Sequence, residues 1–181
     1  MARRTIFAGN WKMYTVREEA LTLAKGILEG LGNTPAHEVI LFTPAVHLRE
    51  VAALCAKGPV AVGAQNMYFE KEGAFTGEIS PAMVKASGAR WILIGHSERR
   101  HVFYETDEDV RKKLRAALDA GLLPMVCVGE LLEEREAGKS EDVVRVLSGF
   151  AARTRASMVF TFAPRTRPLA VMHAVGRLLP R

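Results

Sequence analysis

Several features that mark particular classes of protein are missing from this sequence. It has only two cysteines, Cys55 and Cys127, and no CxxC pair, which argues against a disulfide scaffold or a structural zinc site and is typical of a reducing cytosol. No apolar run approaches the roughly 18 residues that cross a bilayer, and the first ten residues lack the apolar stretch of a secretory signal. With 49% hydrophobic and 25% charged residues, the composition excludes a disordered or fibrous chain. The 181 residues therefore predict a cytoplasmic globular protein.

The last part of the chain lacks acidic residues altogether. Residues 143–181 contain no Asp, Glu or Lys but seven arginines, whereas residues 1–142 carry 20 acidic and 18 basic side chains. A basic, acid-free arm can bind nucleic acid or a membrane surface. The other interpretation is a segment not shaped by the folding constraints of the rest, either divergent or produced by a reading-frame or assembly error. We favour this second interpretation and expect neither a nucleic-acid nor a membrane partner.

Short apolar runs alternate with helical patterns through the first 147 residues. The predicted strands, each bounded by Gly, Pro or Asn, are 5–9, 38–42, 60–64, 91–94 and 122–128. The predicted helices are 17–30, 47–56, 81–87, 107–120 and 140–147. In the fourth of these helices, one face groups Val110, Leu114, Ala117 and Leu118. This alternation predicts βα units around a parallel sheet. We divide the chain into residues 1–147 and an arginine-rich tail, residues 148–181, which holds a possible sixth strand at 158–163.

Polar residues follow three of the predicted strands, where parallel α/β proteins place their sites. Lys12 comes just after the first strand and beside Asn10. At that position a lysine can hold an anionic substrate or stabilise a developing negative charge. The alternative is a solvated surface lysine.

His96 follows the fourth strand and Gly95. We expect Ser97 to cap a helix whose N–H groups face the imidazole, which would keep His96 neutral and able to donate to a carbonyl oxygen. A structural histidine that ties down a loop is the alternative. Metal binding is not expected, because His96 and His101 have no third ligand nearby and Glu98 more simply pairs with Lys12 or an arginine.

Five motifs resemble those of the triosephosphate isomerase family, in its order and approximate spacing. They are Asn10-Trp11-Lys12-Met13, Gly63-Ala64-Gln65-Asn66, Gly73-Ala74-Phe75-Thr76-Gly77-Glu78-Ile79-Ser80, Ile94-Gly95-His96-Ser97-Glu98-Arg99-Arg100 and Cys127-Val128-Gly129-Glu130. The resemblance covers residues 5 to about 147. It implies a parallel (β/α)8 barrel that is incomplete here, with five to six βα units; the rival is an open doubly wound sheet. An incomplete barrel should leave unpaired edges and an exposed apolar face.

The resemblance also implies roles for individual residues. Asn10 and Lys12 would bind substrate, with Lys12 as the cation near it. His96 would be the neutral electrophile that polarises the carbonyl, and Glu98 an active-site carboxylate. Thr76, in the long loop 65–80, would reach into the site of a partner subunit in a homo-oligomer. The reaction would interconvert dihydroxyacetone phosphate and glyceraldehyde 3-phosphate, a step of glycolysis and gluconeogenesis, through an enediol and without cofactor or metal.

Several elements of the family pattern are not matched, and the first is the catalytic base. The family has a glutamate base followed by proline after its sixth strand. Here Ala163 stands at the expected position, before Pro164, and no carboxylate follows Asp142. The alternative to the isomerase is therefore a catalytically inactive fragment or pseudoenzyme that lacks the base. For this chain we expect little turnover and weak association or aggregation.

Overall fold

The computed structural model describes residues 6–31 and 37–129, which form five strands, five helices and one 3₁₀ turn. The strands are β1 (Ile6–Asn10), β2 (Glu38–Thr43), β3 (Val60–Ala64), β4 (Trp91–Ile94) and β5 (Leu123–Val126). The helices are α1 (Arg17–Leu31), α2 (Leu48–Cys55), α3 (Pro81–Ala86), α4 (Ser97–His101) and α5 (Asp107–Asp119), and the 3₁₀ turn is Ala45–His47. Within these two ranges, no helix is both long and apolar enough to cross a membrane.

All five predicted strands are present, and four of the five predicted helices lie within the described residues. The fifth strand is shorter than predicted, and the helix predicted from His47 begins instead as the 3₁₀ turn. The predicted helix at 140–147, the possible sixth strand at 158–163, Ala163 and Glu130 lie outside the described residues. The boundary between residues 147 and 148 stays a prediction.

The sheet is parallel throughout and its strand order is β1-β2-β3-β4-β5. Each strand therefore pairs with its neighbour in the sequence, and the sheet curls as part of a barrel. A doubly wound sheet reverses its strand order at one point. The described sheet has no such reversal, so the incomplete barrel is confirmed over the rival fold.

The two faces of the sheet carry separate apolar clusters. The convex-face cluster joins outward strand residues such as Leu41 and Ile92 to helical residues such as Ala24, Val51 and Ala117. The concave-face cluster contains no residue of a described helix: Ile40, Phe42, Trp91, Leu93, Met125 and Cys127. The described helices thus cover one face only, as in a barrel.

The concave-face side chains are each at most 9% exposed. The expectation of an exposed apolar face is therefore wrong for these six residues, which pack together in one cluster. Gly63 on β3 leaves room for the Phe42 ring in the concave-face cluster, because a Cβ on residue 63 would lie 2.5 Å from that ring. Cys127 is buried, as predicted.

Side-chain caps mark the starts of two helices, α3 and α5. The Ser80 hydroxyl accepts from the Met83 N–H at 3.3 Å, with Pro81 at the first helical position. The Thr106 hydroxyl accepts from the Asp109 N–H at 3.1 Å, and the Asp109 carboxylate accepts from the Thr106 N–H in return.

Candidate functional site

The carboxyl ends of β1 and β4 bring a lysine and a glutamate into contact. Lys12 lies two residues beyond β1, and Glu98 lies in the first turn of α4, directly after β4. The Lys12 Nζ is 2.7 Å from Glu98 Oε1, and about half of each side chain is exposed. An ion pair this exposed stabilises a protein by at most about 1 kcal/mol. The ammonium can therefore exchange the carboxylate for another anion at low cost.

His96 sits at the N-terminus of α4 as its capping residue. Its Nδ1 accepts the Glu98 backbone N–H at 3.3 Å. The prediction that Ser97 provides the cap is therefore wrong, because the imidazole nitrogen occupies the position that a serine oxygen would take. The predicted helix behind the histidine is present.

Burial lowers the pKa of His96, and the nearby Lys12 ammonium lowers it further, against an opposing contribution from Glu98. Nδ1 also lies 3.6 Å from Glu98 Oε2, a contact that would favour a proton on Nδ1. The shorter contact with the backbone N–H and the lowered pKa both favour the neutral ring with Nδ1 as acceptor. The proton then lies on Nε2, which becomes the donor of this side chain.

The side-chain amide of Asn10 is held in one orientation. Its Oδ1 accepts from the Lys12 backbone N–H at 2.9 Å and from Gln65 Nε2 at 3.1 Å. Because the oxygen takes both hydrogen bonds, the amide nitrogen lies on the opposite side and is the end available to a ligand. The sequence analysis gave Gln65 no role, although its position directly after β3 is the same kind of strand-end position that singled out Lys12 and His96.

Thr76 is exposed in the long loop from Gln65 to Ser80. The loop closes at its base through the Tyr68 N–H, which donates to Ile79 O at 2.8 Å. The rings of Tyr68 and Phe75 lie 4.6 Å apart, and Tyr68 is half-buried. Among the described residues, no hydrogen bond or ion pair joins Thr76 to the other predicted site residues. The structure thus gathers four of the five predicted site residues and leaves the fifth apart from them.

A buried ionic cluster, which the sequence analysis did not predict, lies behind α4. Lys113 Nζ is 2.7 Å from Glu105 Oε2 and 2.8 Å from Asn66 Oδ1. Arg99 also contacts Glu105, at 3.1 Å. Lys113 and Asn66 are 47 residues apart in the sequence, so no local pattern could have found that contact. No group of three or more metal-ligating side chains occurs in residues 6–31 or 37–129.

A parallel sheet in sequential order, with helices on one face and polar side chains gathered at the carboxyl ends of its strands, defines the class of (β/α)-barrel enzymes. Comparison with known families agrees and is more specific. The family model "Triosephosphate isomerase" matches residues 5–159. The chain belongs to the triosephosphate isomerase family.

Individual relatives show the extent of the match. The chain is 46% identical over 169 residues to the triosephosphate isomerase of Rhodopirellula baltica, an alignment that covers 91% of this chain and 66% of that protein. It is 51% identical over 142 residues to the enzyme of Chloroflexus aurantiacus, covering 78% of this chain and 57% of that one. The crystal structure of triosephosphate isomerase from Bartonella henselae superposes with a TM-score of 0.75 at 34% identity, covering 97% of this chain and 73% of the other. The chain thus spans about two thirds or less of these two curated relatives.

A second family model matches the end of the chain. "Magnesium-protoporphyrin IX methyltransferase C-terminus" matches residues 139–181, so residues 139–159 fall within both matches. All of these residues lie outside the described part of the structure.

Proposed function

We propose that this chain acts in the interconversion of dihydroxyacetone phosphate and glyceraldehyde 3-phosphate, the reaction that its family resemblance implies. The observation that carries the proposal is the hydrogen bond from the Glu98 backbone N–H to His96 Nδ1, which leaves Nε2 of the neutral ring as the donor beside the Lys12–Glu98 ion pair. A neutral imidazole can donate to a substrate oxygen that gains negative charge, while a lysine ammonium stabilises the anion.

The four site residues divide the work in this proposal. Lys12 leaves Glu98 to hold the anionic substrate, and the Asn10 amide nitrogen donates to a substrate oxygen. His96 donates from Nε2 to the carbonyl oxygen as the enediol forms. Glu98, through its backbone N–H, fixes the His96 ring in the tautomer that this step requires.

The second candidate function is triose-phosphate binding without turnover. The observation that favours it is the sequence around Ala163, where the family pattern calls for a glutamate base. General-base catalysis contributes about 10²–10⁴-fold to a rate. Without that base, the four residues at the strand ends would still bind and polarise the substrate.

A coupled spectrophotometric assay of the purified protein, together with a binding titration of dihydroxyacetone phosphate, separates the two candidates. We compare the wild type with His96→Gln and, as a matched control, His101→Gln, which alters an exposed histidine on the same helix. If the chain turns substrate over, His96→Gln should lower kcat by about 10²-fold or more, and His101→Gln should leave it unchanged. Binding with no turnover supports the second candidate. A protein that shows no binding and no turnover would contradict both candidates.

We also propose that the loop around Thr76 docks against a second copy of this chain. Exposed apolar side chains follow β1 and β2, among them Met13 at 96%, Tyr14 at 71% and Val46 at 81%, and Phe75 is exposed in the loop. Exposed apolar surface of this kind is typical of an interface, and symmetric homodimers are the commonest closed assembly.

Analytical ultracentrifugation tests this assembly. The wild-type chain should self-associate, and the double variant Phe75→Glu, Thr76→Arg should associate less. If both sediment as the same stable monomer, the loop is not an interface.

Like its family assignment, the cysteine usage supports a cytoplasmic location.

A further inference from the structure

The backbone of Lys12 adopts a conformation that a lysine rarely takes. Its φ is +55°, in the left-handed region. Outside glycine, such a conformation costs free energy and persists only where the surroundings fix it. The Lys12 N–H already donates to Asn10 Oδ1, which fixes one end of the residue. The other end, the carbonyl group, needs a partner of its own.

Gln65 supplies that partner. Its Nε2 lies 2.9 Å from Lys12 O, 3.1 Å from Asn10 Oδ1 and 3.1 Å from Phe42 O. An amide nitrogen has two hydrogens, so they are shared among three acceptors. The three acceptors belong to the end of β1, the turn that follows it and the end of β2. One half-buried side chain therefore ties together the segments from which the Asn10 and Lys12 side chains project.

We propose that Gln65 is the positioning residue of the candidate site. Its amide holds the Asn10 oxygen and the Lys12 carbonyl, and so directs the Asn10 amide nitrogen and the Lys12 ammonium toward the substrate. This role rests on the proposed function, because it is a role in binding the triose phosphate. It acts entirely through Asn10 and Lys12, without contact between Gln65 and the substrate.

The alternative is that Gln65 only stabilises the sheet by joining strand ends. Two variants separate these roles. Gln65→Met keeps the length of the side chain but removes the donor, and Gln65→Glu keeps the shape but places carboxylate oxygens against three acceptors. Asn66→Asp is the matched control, since it makes the same amide-to-carboxylate change one residue along and keeps the acceptor for Lys113.

The sequence offers a direct spectroscopic probe, because Gln65 is the only glutamine among its 181 residues. Selective ¹⁵N-glutamine labelling of the full chain gives a single side-chain NH₂ group. Its two protons should resonate apart from each other and from free glutamine, because they have different acceptors. In a second sample labelled with ¹⁵N-lysine, the backbone amide of Lys12 should shift in both Gln65 variants and stay in place in Asn66→Asp.

Titration of dihydroxyacetone phosphate completes the test. The Gln65 variants should bind it at least about tenfold, and up to about 100-fold, more weakly than the wild type, under conditions in which circular dichroism shows each variant to be folded. Equal affinity in the variants would overturn the positioning role while the proposed function stands. If the wild type does not bind the phosphate but Lys12 shifts as expected, the proposed function fails and the positioning of Lys12 stands. A Gln65 NH₂ group that resonates like free glutamine would overturn the positioning role on its own.

Discussion

Replacing Lys113 by methionine should destabilise this protein strongly, although Lys113 belongs to none of the strand-end positions. The side chains of Lys113 and Glu105 are 4% and 3% exposed. Methionine has about the length of lysine without its charge. Lys113→Met therefore leaves the Glu105 carboxylate buried with one fewer partner, while Glu105 Oε1 already has no hydrogen-bond partner.

The structure sets the magnitude of this effect. Removing one partner of a buried ion pair costs about 3–5 kcal/mol. Arg99 remains 3.1 Å from Glu105 Oε2 and its side chain is 30% exposed, so it offsets part of the loss. We therefore expect Lys113→Met to lower the free energy of unfolding by about 3 kcal/mol. The double variant Lys113→Met, Glu105→Leu removes the buried carboxylate as well and should lie within about 1 kcal/mol of the wild type.

Urea unfolding followed by far-ultraviolet circular dichroism measures both variants. With a slope of about 1–3 kcal/mol per molar urea, the midpoint of Lys113→Met should fall by about 1 M or more. Arg111→Met is the control, because Arg111 lies on the same helix and pairs with Glu108 at the surface; it should cost less than about 1 kcal/mol. A loss below about 1 kcal/mol in Lys113→Met, or an equal loss in the single and double variants, would refute the reasoning.

Three further predictions concern packing, capping and pH. Gly63→Ala should destabilise the protein by about 1–3 kcal/mol because the added Cβ collides with the Phe42 ring, which the shift of its thermal midpoint measures. Thr106→Ala removes the cap of α5 and should cost about 0.5–2 kcal/mol in urea unfolding; an Asp109→Ala variant that costs nothing would contradict the reciprocal cap. Because the pKa of His96 is lowered on folding, its contribution to stability is fully present above the unfolded pKa of about 6.5 and is lost as pH falls below it. The His96→Gln variant should lose that part of the pH dependence, and an unchanged profile between pH 7 and 5 would contradict it.

Much of the fold could be predicted because its signals are local. The apolar runs of β2, β3 and β4, the Ser80 cap and the Gly121 stop with φ +70° all depend on residues close in sequence. The Lys12–Glu98 ion pair could also be predicted, since both residues follow strands of the same parallel sheet.

The errors have a different origin. The periodicity of α5 placed Leu118 on the buried face, yet Leu118 is exposed and Lys113 is buried. Lys113 lies inside because Glu105 and Asn66, the latter 47 residues away, supply partners for its charge. The capping role of His96 was missed because a serine hydroxyl and an imidazole nitrogen can both accept a helix N–H. The sequence pattern favours the serine. The unassigned Gln65 likewise depends on acceptors from two other strands.

The sequential strand order has a consequence for how the chain folds as it is synthesised. Each strand of the described sheet after β1 pairs with the strand that precedes it along the chain. A nascent chain leaving the ribosome can therefore add β3 to a β1–β2 pair, then β4, then β5, with each step closing a loop of a few tens of residues and without waiting for distant segments. N-terminal parts of a chain generally fold first during synthesis, and short loops close with the smaller loss of entropy. Until the next strand emerges, the most recent strand exposes its backbone hydrogen-bonding groups along one edge, where chaperones that bind extended segments and other nascent copies of the same chain would compete for it.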